Sequence, residues 1–184
     1  MKKLLLLLTL LFIVPASAQQ GTIVYPVGSV CSDRTTETSA INNTETVVVS
    51  CSFPANSLVA GAHYYASGSG LHTNTTTSTT GIYRIRIGPT TLTGAVVGQL
   101  NYAYGATART NCQFQFGANI RIVSATTGWA ILETNQCTQI SSSSAVTTPV
   151  VIDTTVANLI ELTYESGGAS TSEIFVFGTI ERVY

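Results

Sequence analysis

Hydrophobic and polar residues alternate with a period of two through much of the chain. In the clearest segment, Tyr83, Ile85 and Ile87 lie on one face while Arg84 and Arg86 lie on the other. Such alternation predicts a β-strand with one buried face. The same period, or an apolar run of strand length, occurs in residues 46–53, 112–116, 120–122, 129–136, 160–165 and 173–184.

Turn-forming residues separate these segments. Residues 54–57, 88–89 and 126–128 contain proline, asparagine or glycine and are predicted turns. Polar or glycine-rich stretches predict loops at residues 32–44, 68–80, 101–109 and 141–144. Residues 22–30, 58–65 and 90–100 are further candidate strands, the first of them at an edge, and Gly117 predicts a bulge. The pattern therefore predicts an all-β protein, an antiparallel sandwich or jelly roll of about eight to ten strands.

The first 18 residues differ from the rest. Lys2 and Lys3 precede an unbroken apolar run, and Ala16-Ser17-Ala18 is a small-residue cleavage site. This layout predicts a secretory signal peptide, since the apolar run is too short to span a membrane. We expect residues 19–184 to form a single β-sandwich domain that is secreted or periplasmic and free of the membrane after cleavage.

Charge is scarce in the predicted mature chain. It has six arginines and no lysine against two aspartates and seven glutamates. Nucleic acid and anionic lipid both require a basic surface, so neither is an expected partner.

The four cysteines predict disulfide bonds. Cys31, Cys51, Cys112 and Cys137 are an even number in an exported chain and contain no C-x-x-C pair, which disfavours zinc. Three connectivities are open, and we favour Cys31–Cys51 with Cys112–Cys137. No metal or cofactor is expected.

No residue pattern indicates catalysis. The two histidines, His63 and His72, have no carboxylate near them in sequence, and the serines of residues 67–70 lack the spacing of a nucleophile elbow. Glu161 and Glu165 are predicted to be exposed charges on the outward face of a strand. They would pair with Arg84 and Arg86, or the arginines would meet a second subunit. We therefore expect the protein not to be an enzyme.

Aromatic residues give the best candidate binding site. Sugar rings stack on aromatic faces while their edges form hydrogen bonds. Tyr102 and Tyr104, beside Gly105, and Trp129 are the candidate ligand-binding residues, with Tyr64 and Tyr65 as further members of a site at the loop ends.

Three stretches carry a family resemblance. They read ETVVVSCSFPANSLVAGAHYYASGSG, TTGIYRIRIGPTTL and VVIDTTVANLIELTYESGGASTSEIFVFGTIERV, in that order. Their succession resembles the jelly-roll structural proteins of tailed bacteriophages, which occur in tail, baseplate and head-decoration components. The likeness covers about half of the mature chain, and the signal peptide and the four cysteines depart from the usual pattern of these proteins.

The resemblance implies a non-enzymatic structural or surface-interaction protein. It would associate with itself, as a homotrimer if it follows similar jelly rolls, or assemble on a particle or cell surface, and it could be virion-associated. The alternative is a secreted, lectin-like carbohydrate-binding module whose tyrosines contact a glycan.

Overall fold

A computed structural model places most of the predicted mature chain. The structure describes residues 28–33, 44–74, 79–104, 108–136, 139–145, 149–166 and 171–183. The predicted signal peptide and Cys137 lie outside these ranges.

Every regular element in the described ranges is a β-strand. The strands are β1 (Gly28–Asp33), β2 (Thr46–Phe53), β3 (His63–Asn74), β4 (Thr79–Gly88), β5 (Ala95–Tyr104), β6 (Arg109–Ser124), β7 (Thr127–Gln136), β8 (Gln139–Ala145), β9 (Val150–Val151), β10 (Asn158–Ser166) and β11 (Thr171–Arg182). These eleven strands exceed the eight to ten expected from the sequence.

The strands form two antiparallel sheets. The large sheet has the order β1-β11-β3-β6-β7-β8, with β9 also paired to β7, and the small sheet has the order β2-β10-β4-β5. The first strand thus pairs with the last, and the second with the one before the last. This nested order is that of a jelly roll, with β7, β8 and β9 extending one sheet. The predicted all-β antiparallel sandwich is confirmed.

Aromatic contacts between the sheets fill the core. Tyr83 of β4 stacks on Phe116 of β6 with ring centroids 5.0 Å apart, and Phe53 of β2 meets Tyr64 of β3 edge-on at 5.3 Å. These side chains come from the inward positions of the alternating pattern and are buried. Apolar alternation on both sheets therefore produces one continuous core.

Gly98 lets the two sheets approach closely on the β5 side. A Cβ atom built on Gly98 would lie 2.5 Å from Leu132 Cδ1 and 2.8 Å from Ala130 Cβ, both on β7. Any side chain at this position would overlap the facing sheet, because core side chains are already close-packed.

Two predicted loops are strands instead. Residues 68–74 continue β3, and residues 141–144 lie within β8, which pairs with β7. Strand β3 is paired on both sides, by β11 and β6, so its backbone hydrogen bonds are satisfied even where it consists of glycine and serine. Pairing with neighbouring strands here outweighs the weak strand preference of glycine and serine.

Two other local predictions also need correction. The predicted strand at 58–65 begins only at His63, because the residues before it form turns that include Asn56 and Gly61 at positive φ. Gly117 is not at a bulge, since β6 pairs regularly through it with both β3 and β7. The register shifts of β6 lie elsewhere, between His72 and Asn74 of its partner and between Ile122 and Ser124.

The Cys31–Cys51 disulfide is present as predicted. Its Cα atoms are 5.8 Å apart, and it joins β1, an edge strand of the large sheet, to β2, an edge strand of the small sheet. Cys112 is also disulfide-bonded, but its predicted partner lies outside the described residues.

Candidate functional site

A charged network covers the outer face of the small sheet. Arg86 on β4 forms a two-point ion pair with Glu45, which precedes β2, and the N–O distances are 2.7 and 2.9 Å. Arg84 Nη1 lies 2.7 Å from Glu165 and 3.1 Å from Glu45. Thr163 of the intervening strand β10 donates a 2.6 Å hydrogen bond to Glu45. The Arg84–Glu165 pair is one of the cross-strand pairs considered from the sequence.

Glu161 belongs to this network and is buried, contrary to the prediction of an exposed charge. Its side chain is 1 % exposed, and its Oε2 accepts a 2.9 Å hydrogen bond from the Leu92 backbone N–H. Ser50 donates to its other oxygen at 3.4 Å. Leu92 has φ of 60°, a left-handed conformation that bulky residues rarely adopt. The turn between β4 and β5 is thus bonded to the Glu161 carboxylate of the inner strand β10. The turn covers this carboxylate and shields it from water.

The electrostatics favour the ionised form of Glu45. Burial raises the pKa of its carboxyl, but hydrogen bonds from Arg86 and Thr163 and the charges of Arg84 and Arg86 outweigh that effect and lower the pKa below its ordinary value. The hydrogen bonds with Glu45 likewise raise the pKa of Arg86 against the opposing effect of burial. With both Glu45 oxygens engaged, the network acts as an anchor for the chain that enters β2.

The predicted ligand-binding residues do not form one cluster. Tyr102 is 7 % exposed and belongs to the core. Tyr104 pairs in register with Thr79, at the end of the sandwich where β3 leads into β4. Trp129 is half-buried and pairs with Arg121, which in turn pairs with His63 at the opposite end. Of the further candidates, Tyr64 is buried and Tyr65 is half-buried.

The two histidines are held apart by strand β3. His63 begins the strand and is half-buried on its outer face, whereas His72 is fully buried on the inner face. Burial and the charge of Arg121 lower the pKa of His63. No group of three or more histidine, cysteine or carboxylate side chains in the described ranges could hold a metal ion.

Five exposed valines gather at one end of the sandwich, which we call the valine end. Val151, on the two-residue strand β9, is 75 % exposed. The others lie in the adjoining turns or at the strand ends that meet there. The five are Val59, Val123, Val151, Val156 and Val183.

Backbone hydrogen bonds tie the turns of the valine end to one another. Gly61 N–H donates to Ile122 and Ile122 N–H donates to Ala62, at 2.8 and 3.0 Å. Across the sandwich, Asn56 N–H donates to Thr154 at 2.8 Å, and Val183 N–H donates to His63 at 2.9 Å. Because the turns are bonded to each other, the exposed valines are presented in a fixed arrangement.

Tyr65 makes an unusual contact on the outer face of the large sheet. A Cβ built on Gly117 would lie 2.5 Å from the Tyr65 hydroxyl oxygen and 3.1 Å from Glu133 Oε1. Tyr65 is paired with Asn119, so its ring leans diagonally across β6 instead of standing away from the sheet. Burial, and then the charges of Glu133 and Glu181, raise the pKa of the Tyr65 hydroxyl.

Interpreting Gly117 as a bulge from the sequence left its contact with Tyr65 unpredicted. The outward positions of β6 read Gln113, Gln115, Gly117 and Asn119, a row of amides interrupted by one glycine. In a strand, such an interruption can mark the close approach of a neighbouring group. The geometry at Gly117 identifies that group as Tyr65, which lies one row along β3 from the residue that pairs with Gly117.

Comparisons with known proteins assign no family. No family model matches the chain, and no curated protein matches its sequence. In the described part of the chain, no helix is long and apolar enough to cross a membrane.

Proposed function

We propose that this chain is a non-enzymatic, exported structural or surface-interaction protein that associates with further copies of itself. The observation that supports the proposal is the valine end, a rigid surface bearing five exposed aliphatic side chains. Soluble monomers rarely gather exposed apolar residues in one place, and such gatherings often mark protein interfaces.

The charges around the valine end suit a second copy of the same chain. Arg121 and Asp153 are exposed, and Glu181 and Arg182 are partly exposed. A surface that carries both signs can bring its cations against the anions of a symmetry-related copy. The fixed turns add to this, since a preorganised surface loses little conformational freedom on association.

The resemblance to phage jelly-roll proteins extends the proposal to a particle. It implies a trimer, assembled on a virion or on a cell surface, with the mature chain exported and its cysteines oxidised. The jelly-roll strand order agrees with this resemblance but is compatible with other functions, because one fold serves many.

The oligomeric state of the mature chain tests the central claim. Sedimentation velocity across a concentration series should show a defined oligomer for the wild type and a monomer for Val151→Asp. Thr110→Asp is the matched control, because it adds the same charge at an exposed position of β6 towards the other end. A wild type that stays monomeric at its highest soluble concentration would refute self-association.

Mass spectrometry tests the particle and the location. Purified particles and particle-free supernatant from the source culture would be searched for the peptide that begins at Gln19. Stoichiometric recovery with particles supports a virion component, while recovery only in supernatant or periplasm supports an exported protein without that role.

A carbohydrate-binding module is the second candidate function. The observation that favours it is the ring of Tyr65, which lies along a sheet face with amide side chains beside it. Its location differs from the loop ends expected from the sequence.

A further inference from the structure

We infer that the outer face of β3, β6 and β7 binds a glycan chain, with the ring of Tyr65 as the platform for one sugar. The inference rests on the second candidate function and gives it a site and a ligand class. The surface adjoins the valine end, and variants that change one without the other keep the two proposals separately testable.

The geometry of Tyr65 is the first step in the argument. Because Gly117 has no side chain, the Tyr65 hydroxyl rests over β6 next to Glu133, and the ring leans across the sheet. Tyr65 is half-buried, so part of its ring remains accessible to a ligand. An exposed aromatic face is the surface on which the apolar side of a pyranose ring stacks.

The neighbours of Tyr65 supply hydrogen bonds at suitable spacings. Asn119, beside Tyr65 on β6, is exposed, as are Glu133 and Asn135 on β7. Adjacent strands lie about 4.8 Å apart, and outward residues of one strand recur about every 6.8 Å. Amide and carboxylate groups therefore surround the ring at distances that suit the hydroxyl groups of a stacked sugar.

A second aromatic residue lengthens the site towards the valine end. Trp129 and Ile131 are successive outward residues of β7. Ile131 pairs with Asn119 of β6, which in turn pairs with Tyr65 of β3. Trp129 and Ile131 are both partly or fully exposed on this outer face. Two aromatic side chains on one flat face suit an extended chain of sugars better than a single monosaccharide.

The charges next to Tyr65 favour a neutral sugar there, while the exposed Arg121 lies one row away beside Trp129. The side chains around Tyr65 include two negative groups, Glu133 and Glu181, whose charges raise its pKa. An acidic polysaccharide would be repelled at the position of the stacked sugar. We therefore expect binding to uncharged hexose polymers.

The test is a glycan array of neutral and acidic polysaccharides, followed by affinity electrophoresis in gels containing the polymer that binds. The wild type should bind a neutral polymer saturably. Tyr65→Ala should weaken that binding about tenfold, the loss of roughly one stacking contact. Tyr65→Phe retains the ring and should bind within about twofold of the wild type.

Gly117→Ala provides a sharper variant, because it removes no binding group and changes only the position of Tyr65. The new Cβ would displace the flexible end of Tyr65, lifting the ring from the sheet at small cost to folding. We expect a loss comparable to that of Tyr65→Ala, with an unchanged circular dichroism spectrum. If Tyr65→Ala does not fold, Gly117→Ala carries the test.

The Val151→Asp variant separates this inference from self-association. It should bind the polymer like the wild type, per site, even where it no longer forms oligomers. A blank array overturns the inference, and so does equal binding by wild type, Tyr65→Ala and Gly117→Ala. Preferential binding to acidic polymers overturns the assignment of ligand class.

Discussion

Glu45 and Arg86 are joined by two parallel hydrogen bonds, from Nε to Oε1 at 2.7 Å and from Nη2 to Oε2 at 2.9 Å. The pair passes over Thr163 of β10, which donates to the same carboxylate. Glu45, which precedes the edge strand β2, is thereby fixed to β4, two strands away in the small sheet. Planar two-point pairs of this type combine charge with a defined geometry.

Replacing Glu45 by glutamine should destabilise the fold. The neutral side chain cannot match the two guanidinium donors of Arg86, and it leaves Arg84 with one carboxylate, Glu165, in place of two. We expect a loss of about 1–2 kcal/mol in the free energy of unfolding, measured by denaturant titration at pH 7. Glu133→Gln, which neutralises an exposed carboxylate, should change stability by less than about 0.5 kcal/mol. Equal losses in the two variants would contradict an anchoring role for Glu45.

The stability contributed by Glu45 should disappear in acid. Its pKa is lower in the folded chain than the ordinary value of about 4.3, so folding favours the ionised form. The contribution is complete above that value and is lost as the pH falls through the folded-state pKa. The difference in unfolding free energy between wild type and Glu45→Gln should therefore shrink as the pH is lowered from 7 through the acid range. A constant difference at all pH values would show that ionisation of Glu45 is not the cause.

Gly98→Ala should destabilise the sandwich by crowding the space between the sheets. The added methyl group would overlap Leu132 and Ala130, and the overlap with Ala130 includes its backbone oxygen at 2.8 Å. Overpacking of this kind costs about 1–3 kcal/mol, which thermal unfolding would detect. Gly128→Ala is the control, since its nearest neighbour is the end of the Ile152 side chain at 3.2 Å, and it should cost less. A larger loss of stability for Gly128→Ala than for Gly98→Ala would contradict the close approach of the two sheets at Gly98.

Removal of the Cys31–Cys51 bond should loosen both edge strands that it joins. For a sequence separation of 20 residues, the chain-entropy estimate gives about 3 kcal/mol. The double variant Cys31→Ser/Cys51→Ser should melt at a lower temperature than the wild type. In the unreduced wild type, thiol labelling after unfolding should detect no reactive cysteine. If two thiols are labelled in the wild type and the double variant melts at the same temperature as the wild type, this bond does not form in solution.

Alternation alone was enough to predict the strands that are flanked by clear turns. In β4, the inward set Tyr83, Ile85 and Ile87 is buried, and the outward Arg84 pairs with Glu165. The prediction of an exposed side chain was wrong for Glu161. Outward positions on an inner strand of this four-stranded sheet are covered by long side chains and by a hairpin from neighbouring strands. Such coverage depends on strand order, which a single strand pattern does not contain.

Knowledge of strand register was needed even more for predicting the candidate sites than for predicting the strands. Tyr65 was identified as a candidate aromatic residue, but its relationship to Gly117 requires knowledge that β3 pairs with β6. Aromatic character alone grouped Tyr104 with Trp129, and the fold places these two residues at opposite ends of the sandwich. The cluster of exposed valines was not predicted, because four parts of the chain that are distant in sequence contribute them.

The pairing of β1 with β11 has a consequence for how the protein is made. During synthesis the chain emerges from its amino terminus, so more than a hundred residues follow β1 before its partner strand exists. Contacts between such distant segments slow folding and leave strand edges temporarily exposed. The large sheet can therefore be completed only after β11 is made, and until then the β1 edge is open to pairing with another molecule.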